Sequence, residues 1–145
     1  MPGHIDPTRE RFAAFREMDR AGRVHMLNLV RLRDVATYED GTRATGAEAY
    51  AAYGRESAPV FRGLGGRIVW AGQPELMLIG PEDAAWDIAF IAEYPSVDAF
   101  VGMLRDPEYR KAVRHRQAAV ADSRLIRMRP GTPGDAFGSM TLGTS

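Results

Sequence analysis

The sequence predicts an α+β domain, an antiparallel sheet sandwiched against helices, and three observations carry that expectation. Two strand–helix–strand units follow one another, from Val24 to Ile79 and from Trp86 to Met128. The strand segments are short apolar or alternating runs, whereas the segments between them repeat apolar residues at helical spacing. Turn residues punctuate the first unit: Leu64-Gly65-Gly66 stops its helix, and Gly72-Gln73-Pro74 bends the strand segment that follows.

In chain order, Asp6-Pro7 predicts a helix start with Asp6 as N-cap and Pro7 at the first helical position, followed by Phe12, Phe15 and Met18 on one face. Val24 to Leu32 is an apolar run of strand length with Asn28 at its centre. Tyr38 to Gly46 is turn-rich and reads as a loop. From Ala47, the residues Tyr50, Tyr53, Val60, Phe61 and Leu64 form one helical stripe, which Pro59 is expected to kink or split. Arg67 to Ala71 and Leu76 to Ile79 predict a strand pair or one bent strand, with Pro74 marking an edge or bulge. Trp86 to Tyr94 alternates, with Ile88, Phe90, Ala92 and Tyr94 on one face and Asp87, Ala89, Ile91 and Glu93 on the other. Pro95-Ser96 caps a helix through Leu104, Asp106-Pro107 launches another to about Ala121, and Leu125 to Met128 closes the sheet. The chain thus divides into an N-terminal helical extension (1–23), the α+β domain (24–129) and a flexible tail (130–145). In that tail Phe137, Met140 and Leu142 could dock on a partner.

A chain of 145 residues suits one domain with a real core. Nineteen basic and 19 acidic residues balance, so no long-range field favours nucleic acid or an anionic membrane. Lys111 is the only lysine, which makes Schiff-base chemistry a poor expectation. The absence of cysteine removes disulfides and thiolate chemistry and suits a reducing compartment. The start shows no apolar leader and no stretch approaches membrane-spanning length, so a cytoplasmic protein is expected.

The segments Met26-Leu-Asn-Leu, Glu48-Ala-Tyr-Ala-Ala-Tyr, Gly65-Gly-Arg, Trp86-Asp, Glu93-Tyr-Pro-Ser, Asp106-Pro-Glu-Tyr, Arg116-Gln-Ala-Ala and Asp122-Ser-Arg-Leu, in this order and spacing, resemble a bacterial family of unknown function, domain family 1330, in the dimeric α+β barrel superfamily. The resemblance runs from about Val24 to Met128. It implies a ferredoxin-like βαββαβ fold: a four-stranded antiparallel sheet with helices on one face, the other face meeting its copy in a homodimer. It implies no activity. Related barrels include heme-degrading and quinol-forming monooxygenases and small-lactone isomerases that use the cavity between sheet and helices, and a shared fold does not carry a reaction with it.

Five residues are candidates for a ligand site. Asn28 is the only asparagine and sits in a strand covered on both faces, where its amide either holds backbone or faces a ligand. Arg116 shares a helical face with Tyr109, Ala112, Val113 and Val120, so its guanidinium either pairs with Asp87, Glu93 or Asp122 or takes a substrate carboxylate. Tyr50, Tyr53 and Trp70 are either core aromatics or the wall of a pocket. Trp86 stands in the same position.

Other chemistry is poorly supported. His25 and His115 are lone histidines, and strand alternation puts His25 on the face opposite Asn28. No metal-binding spacing occurs, and no cofactor is implied. Asp87 and Glu93 share a face but lie roughly 20 Å apart along a strand, too far for paired-carboxylate catalysis. The glycines at 63, 65 and 66 end a helix and so cannot cradle phosphate. Basic residues from Arg105 to Arg116 are diluted by Asp106 and Glu108 into a solvated face, so no nucleic-acid partner is expected. Two functions remain: a protein binding a small organic molecule near Asn28, Tyr50, Tyr53, Trp70 and Arg116, with or without oxygenase- or isomerase-like catalysis, or a non-catalytic dimeric binding or assembly module. A cavity beside a titratable group with a perturbed pKa would favour the first, and a filled core with a large apolar surface the second.

Overall fold

The computed structural model describes residues 3–18 and 21–142. Ten elements follow one another: α1 (Arg9–Glu17), β1 (Val24–Leu32), α2 (Gly46–Gly63), β2 (Arg67–Gly72), β3 (Ile88–Tyr94), α3 (Val97–Arg105), α4 (Pro107–Ala119), β4 (Val120–Met128), β5 (Gly131–Pro133) and β6 (Met140–Leu142). The main sheet has the order β2-β3-β1-β4, and every neighbouring pair is antiparallel. With helices between β1 and β2 and between β3 and β4, this is the ferredoxin-like βαββαβ arrangement.

Strand alternation assigns the two faces. Val24, Met26, Asn28 and Val30 of β1 stand opposite Tyr94, Ala92, Phe90 and Ile88 of β3, and these residues meet the helices. The other face carries His25, Leu27, Leu29 and Arg31, opposite Glu93, Ile91 and Ala89 of β3 and Met128, Ile126, Arg124 and Asp122 of β4. Among the described residues no helix lies over it. The core on the helical side is aromatic at one end, where Tyr94 packs edge-on against Phe100 at 5.0 Å and Phe61 at 5.4 Å. At the other end Val30, Ala49, Ala118, Ala119 and Val120 allow close approach of α2, α4 and the sheet.

Helix ends follow their local chemistry with one exception. Thr45 and Glu48 form a capping box at α2, and Asp106 caps α4 through the amides of Glu108 and Tyr109, with Pro107 in the first turn. The exception is α1, where Thr8 rather than Asp6 is the N-cap because the Asp6 carboxylate is taken by Gln117 and Arg116. α2 also runs unbroken through Pro59, and so the expected split does not occur. It ends where Gly65 takes φ of 84°, a conformation open to glycine, and Gly66 N–H donates to the Phe61 carbonyl.

Leu76 to Ile79 is not a strand. β2 is an edge strand and β3 begins only at Ile88, so these residues have no ladder partner among the described residues, and Pro74 lacks the N–H to extend one. They lie in a long connection with Leu76, Leu78 and Ile79 more than 80% exposed. The closing strand is longer than expected, starting at Val120. Beyond it, where no regular structure was expected, Gly131–Pro133 pairs with Met140–Leu142 in a small exposed hairpin.

At one end of the open face Glu93 is buried and bound by Arg67 Nε at 2.9 Å and His25 Nε2 at 2.8 Å. Burial opposes its ionisation, but the bonds from Arg67 and His25 outweigh that and hold its carboxyl below the ordinary 4.5. A depressed folded pKa gives stability that is complete above the unfolded value and lost as pH falls through the folded one. The melting temperature is therefore expected to decline as pH drops below about 4.5, and less steeply in Glu93→Gln. Equal slopes in calorimetry would remove Glu93 as a source of acid sensitivity.

Candidate functional site

The inner faces of the sheet and the helices do not close completely on one another. Asn28 and Phe90 belong to the two central strands and face the helices, yet both are partly exposed. So are Tyr50 and Tyr53 of α2 and Val113 and Arg116 of α4. A helix-covered central strand is where a packed protein is most closed, so partial exposure there marks a cleft between the layers.

Its polar groups converge. The Tyr50 and Tyr53 rings are 5.5 Å apart, and the Tyr53 hydroxyl is 2.7 Å from that of Tyr109. Desolvation pushes the Tyr50 phenol up to about 12 and Tyr53 well above its ordinary range, while the Arg116 guanidinium pulls both the other way. Both are neutral hydrogen-bond donors at physiological pH. The Tyr50 hydroxyl has no hydrogen-bond partner among the described residues. Asn28 Nδ2 donates to the Met26 carbonyl at 3.0 Å, which engages one end of its amide. Arg116 does not pair with Asp87, Glu93 or Asp122, because those carboxylates bind the Leu32 amide, Arg67 with His25, and Arg124 with Arg31. Its ion-pair partner is Asp6, 3.6 Å away.

Trp70 is elsewhere. The ladder between β2 and β3 shifts register between Ile68 and Trp70, and the extra residue, Val69, turns Trp70 to pair with Ile91 on the open face. Four of the five candidate residues thus lie on the helix side of the sheet, and Trp70 does not. Trp86 packs under the Arg124 guanidinium at 5.0 Å.

The sequence reading also missed a hydrogen-bonded trio. His115 is buried on α4; its Nδ1 lies 2.5 Å from the Tyr38 hydroxyl and its Nε2 lies 2.6 Å from Glu56 of α2. In the neutral ring, Nε2–H donates to the carboxylate and Nδ1 accepts from the phenol. The trio joins the 33–45 loop to the seam between α2 and α4. Burial pushes the Tyr38 phenol up, so it remains protonated. Helical spacing could have placed Glu56 and His115 on facing helices, but nothing local ties Tyr38 to either.

A separate open depression lies at the end of the sheet, lined by Leu32, Arg33, Asp34, Thr45, Ala47, Gln73, Asp87 and Ile88. Among the described residues no cluster of metal-ligating side chains occurs, and no helix is long and apolar enough to cross a membrane.

The strand order and the two helical crossovers define the class: a ferredoxin-like α+β protein. Residues 41–128 match the family model described as domain of unknown function (DUF1330), and the chain belongs to that family. Two crystal structures of the Rhodopseudomonas palustris protein RPA0582, of unknown function, are 69% identical to it. The methylated form covers 93% of this chain and 100% of that chain with a TM-score of 0.89. The other covers 90% and 99% with a TM-score of 0.86. SnoaB of Streptomyces nogalater, a cofactor-independent oxygenase, is 18% identical, covers 82% of this chain and 100% of that chain, and has a TM-score of 0.48. Likeness at that level says nothing of activity. No curated protein matches the chain.

Proposed function

We propose that the protein holds a small organic molecule in the cleft between sheet and helices and works as a homodimer joined through the open sheet face. The observation that carries the first part is the partial opening of Asn28 and Phe90 on the central strands, beside Tyr50, Tyr53 and Arg116. Aromatic walls with a few convergent donors suit a planar ligand carrying a carbonyl or anionic group. The donor set favours holding over proton abstraction. The cleft phenols are too weakly acidic to act as bases at neutral pH. His25 lies on the open face, and His115 is engaged at the outer seam. An isomerase-like reaction would need a base there. An oxygenase-like one, in which the substrate supplies its own acidity, would need only the pocket.

The homodimer reading is supported by the composition of the open face. Leu27, Leu29, Ile91, Ile126 and Trp70 form its centre. Arg23, His25, Glu93 and Arg67 stand at one end, Arg31, Asp122 and Arg124 at the other. An apolar centre with charged margins is the anatomy of a protein interface. The assembly-module reading gains from the exposed 131–142 hairpin, since two strands alone are marginal in water and Phe137 is fully exposed.

Thermal-shift screening against organic acids and quinones is expected to give hits, and Arg116→Ala to weaken the acid hits by roughly tenfold, the scale of a charge-assisted hydrogen bond. Identical responses in wild type and variant would take Arg116 out of the site. No hits of either kind would favour the assembly module.

A further inference from the structure

The N-terminal segment is tied along the side of the cleft that β4 borders. On β4, His4 N–H donates to Asp122 Oδ1 at 2.8 Å, and the His4 carbonyl accepts from Ser123 Oγ at 2.7 Å. Asp6 then reaches α4, where Gln117 Nε2 donates to its Oδ1 at 2.9 Å and Arg116 Nη1 lies 3.6 Å from the same oxygen. Further on, Phe15 of α1 packs against Phe100 of α3 at 5.3 Å, and Arg127 of β4 donates to the Phe15 carbonyl at 2.8 Å. The segment bridges the edge strand and the helical layer, yet no residue of α1 is buried. Such an element, held by two half-buried rings and a few hydrogen bonds, opens at lower free energy than the buried core.

Asp6 contributes a carboxylate to the cation whose field reaches both cleft phenols. The pairing is poor. A guanidinium binds a carboxylate best through two parallel hydrogen bonds, whereas here one nitrogen makes a single contact longer than a hydrogen bond, to a side chain that is 61% exposed. Arg116 itself is only 19% exposed, and its nitrogens that Asp6 does not reach stay accessible to a second anion.

We infer that Asp6 is an internal placeholder: the cleft takes an aromatic carboxylate, which displaces Asp6 from Arg116 and releases the N-terminal strap. The inference rests on the reading of the cleft as a ligand site and names the ligand's charged group and the element that gates it. A planar acid would set its ring among Tyr50, Tyr53 and Phe90 and its carboxylate on Arg116, with the free Tyr50 hydroxyl as a second donor. Ligand and Asp6 compete for one guanidinium, so removing the Asp6 charge strengthens binding of an acid and leaves an uncharged isostere unaffected.

The test is calorimetric titration of benzoate and of benzamide into the full chain as wild type, Asp6→Asn and Arg116→Gln. Asp6→Asn changes an exposed side chain and keeps the acceptor for Gln117, so the fold is retained. Benzoate is expected to bind Asp6→Asn about threefold tighter than wild type, the scale of one half-exposed ion pair. Benzamide should bind both equally, and Arg116→Gln should abolish the preference for benzoate. Hydrogen exchange gives a second readout: saturating benzoate should speed exchange of the amides of α1 in wild type. Benzoate binding that is unchanged or weaker in Asp6→Asn, or slower exchange of α1 on binding, overturns the inference. If benzamide binds all three proteins while benzoate gains nothing from Asp6→Asn, the placeholder falls and the cleft remains a ligand site. If neither compound binds any of the three at millimolar concentration, both fall.

Discussion

Ile126→Asp is expected to convert a particle of about 32 kDa, twice the 16.0 kDa protomer, into a monomer at micromolar concentration. Ile126 lies on the open face of β4 opposite Leu27, which is itself opposite Ile91 at the centre of the sheet. In the protomer it is 47% exposed, so a carboxylate there is solvated and the fold tolerates it. In a sheet-to-sheet dimer the same position is covered, and twofold symmetry places the change in the interface twice. Each copy loses the roughly 1.5–3 kcal/mol of a buried aliphatic side chain and gains an unpaired charge to desolvate. Even about 3 kcal/mol in total raises the dissociation constant more than a hundredfold. Light scattering behind a sizing column reads the mass directly, with circular dichroism as the control for folding. A variant that still runs as a dimer would move the interface off this face, and a monomeric wild type would remove it altogether.

What the sequence revealed was whatever local periodicity encodes. Alternation in Trp86 to Tyr94 assigned both faces of β3 correctly, and the same parity separated His25 from Asn28. Helical spacing put Tyr50, Tyr53 and Arg116 on inward stripes, and the structure keeps them inward. Errors arose where a distant group or a single inserted residue overrode the local rule. Asp6 has the chemistry of an N-cap, but its carboxylate is claimed by Gln117, 111 positions away. Trp70 shares parity with Ile68, and only the bulge at Val69 sends it to the opposite face. Leu76 to Ile79 has strand composition, but a strand needs a neighbour, which this stretch lacks among the described residues. The His115 trio depends on partners 59 and 77 positions away, and no spacing rule reaches that far.

That trio should also be among the most sensitive points of the fold. His115→Ala is expected to lower stability by about 2–4 kcal/mol, combining the cavity left by a buried ring with two lost hydrogen bonds. Its ring is only 8% exposed, and both its nitrogens are engaged within 2.6 Å. The abandoned partners limit the damage, because Glu56 is 46% exposed and Tyr38 is partly exposed, so water can reach both. His115→Leu separates the components: it fills most of the space but cannot hydrogen-bond, and should recover about half of the loss. Tyr38→Phe removes one bond from the same network and should cost about 1 kcal/mol. Urea unfolding gives these differences, and hydrogen exchange gives their location, with protection lost first in the 33–45 loop, whose Tyr38 is tied to α4 through His115. Equal stability of the alanine and leucine variants would mean that the hydrogen bonds, and not the packing of the ring, carry the whole effect. A change below about 0.5 kcal/mol in all three, the range of ordinary surface substitutions, would show that the trio does not hold the loop to the helices.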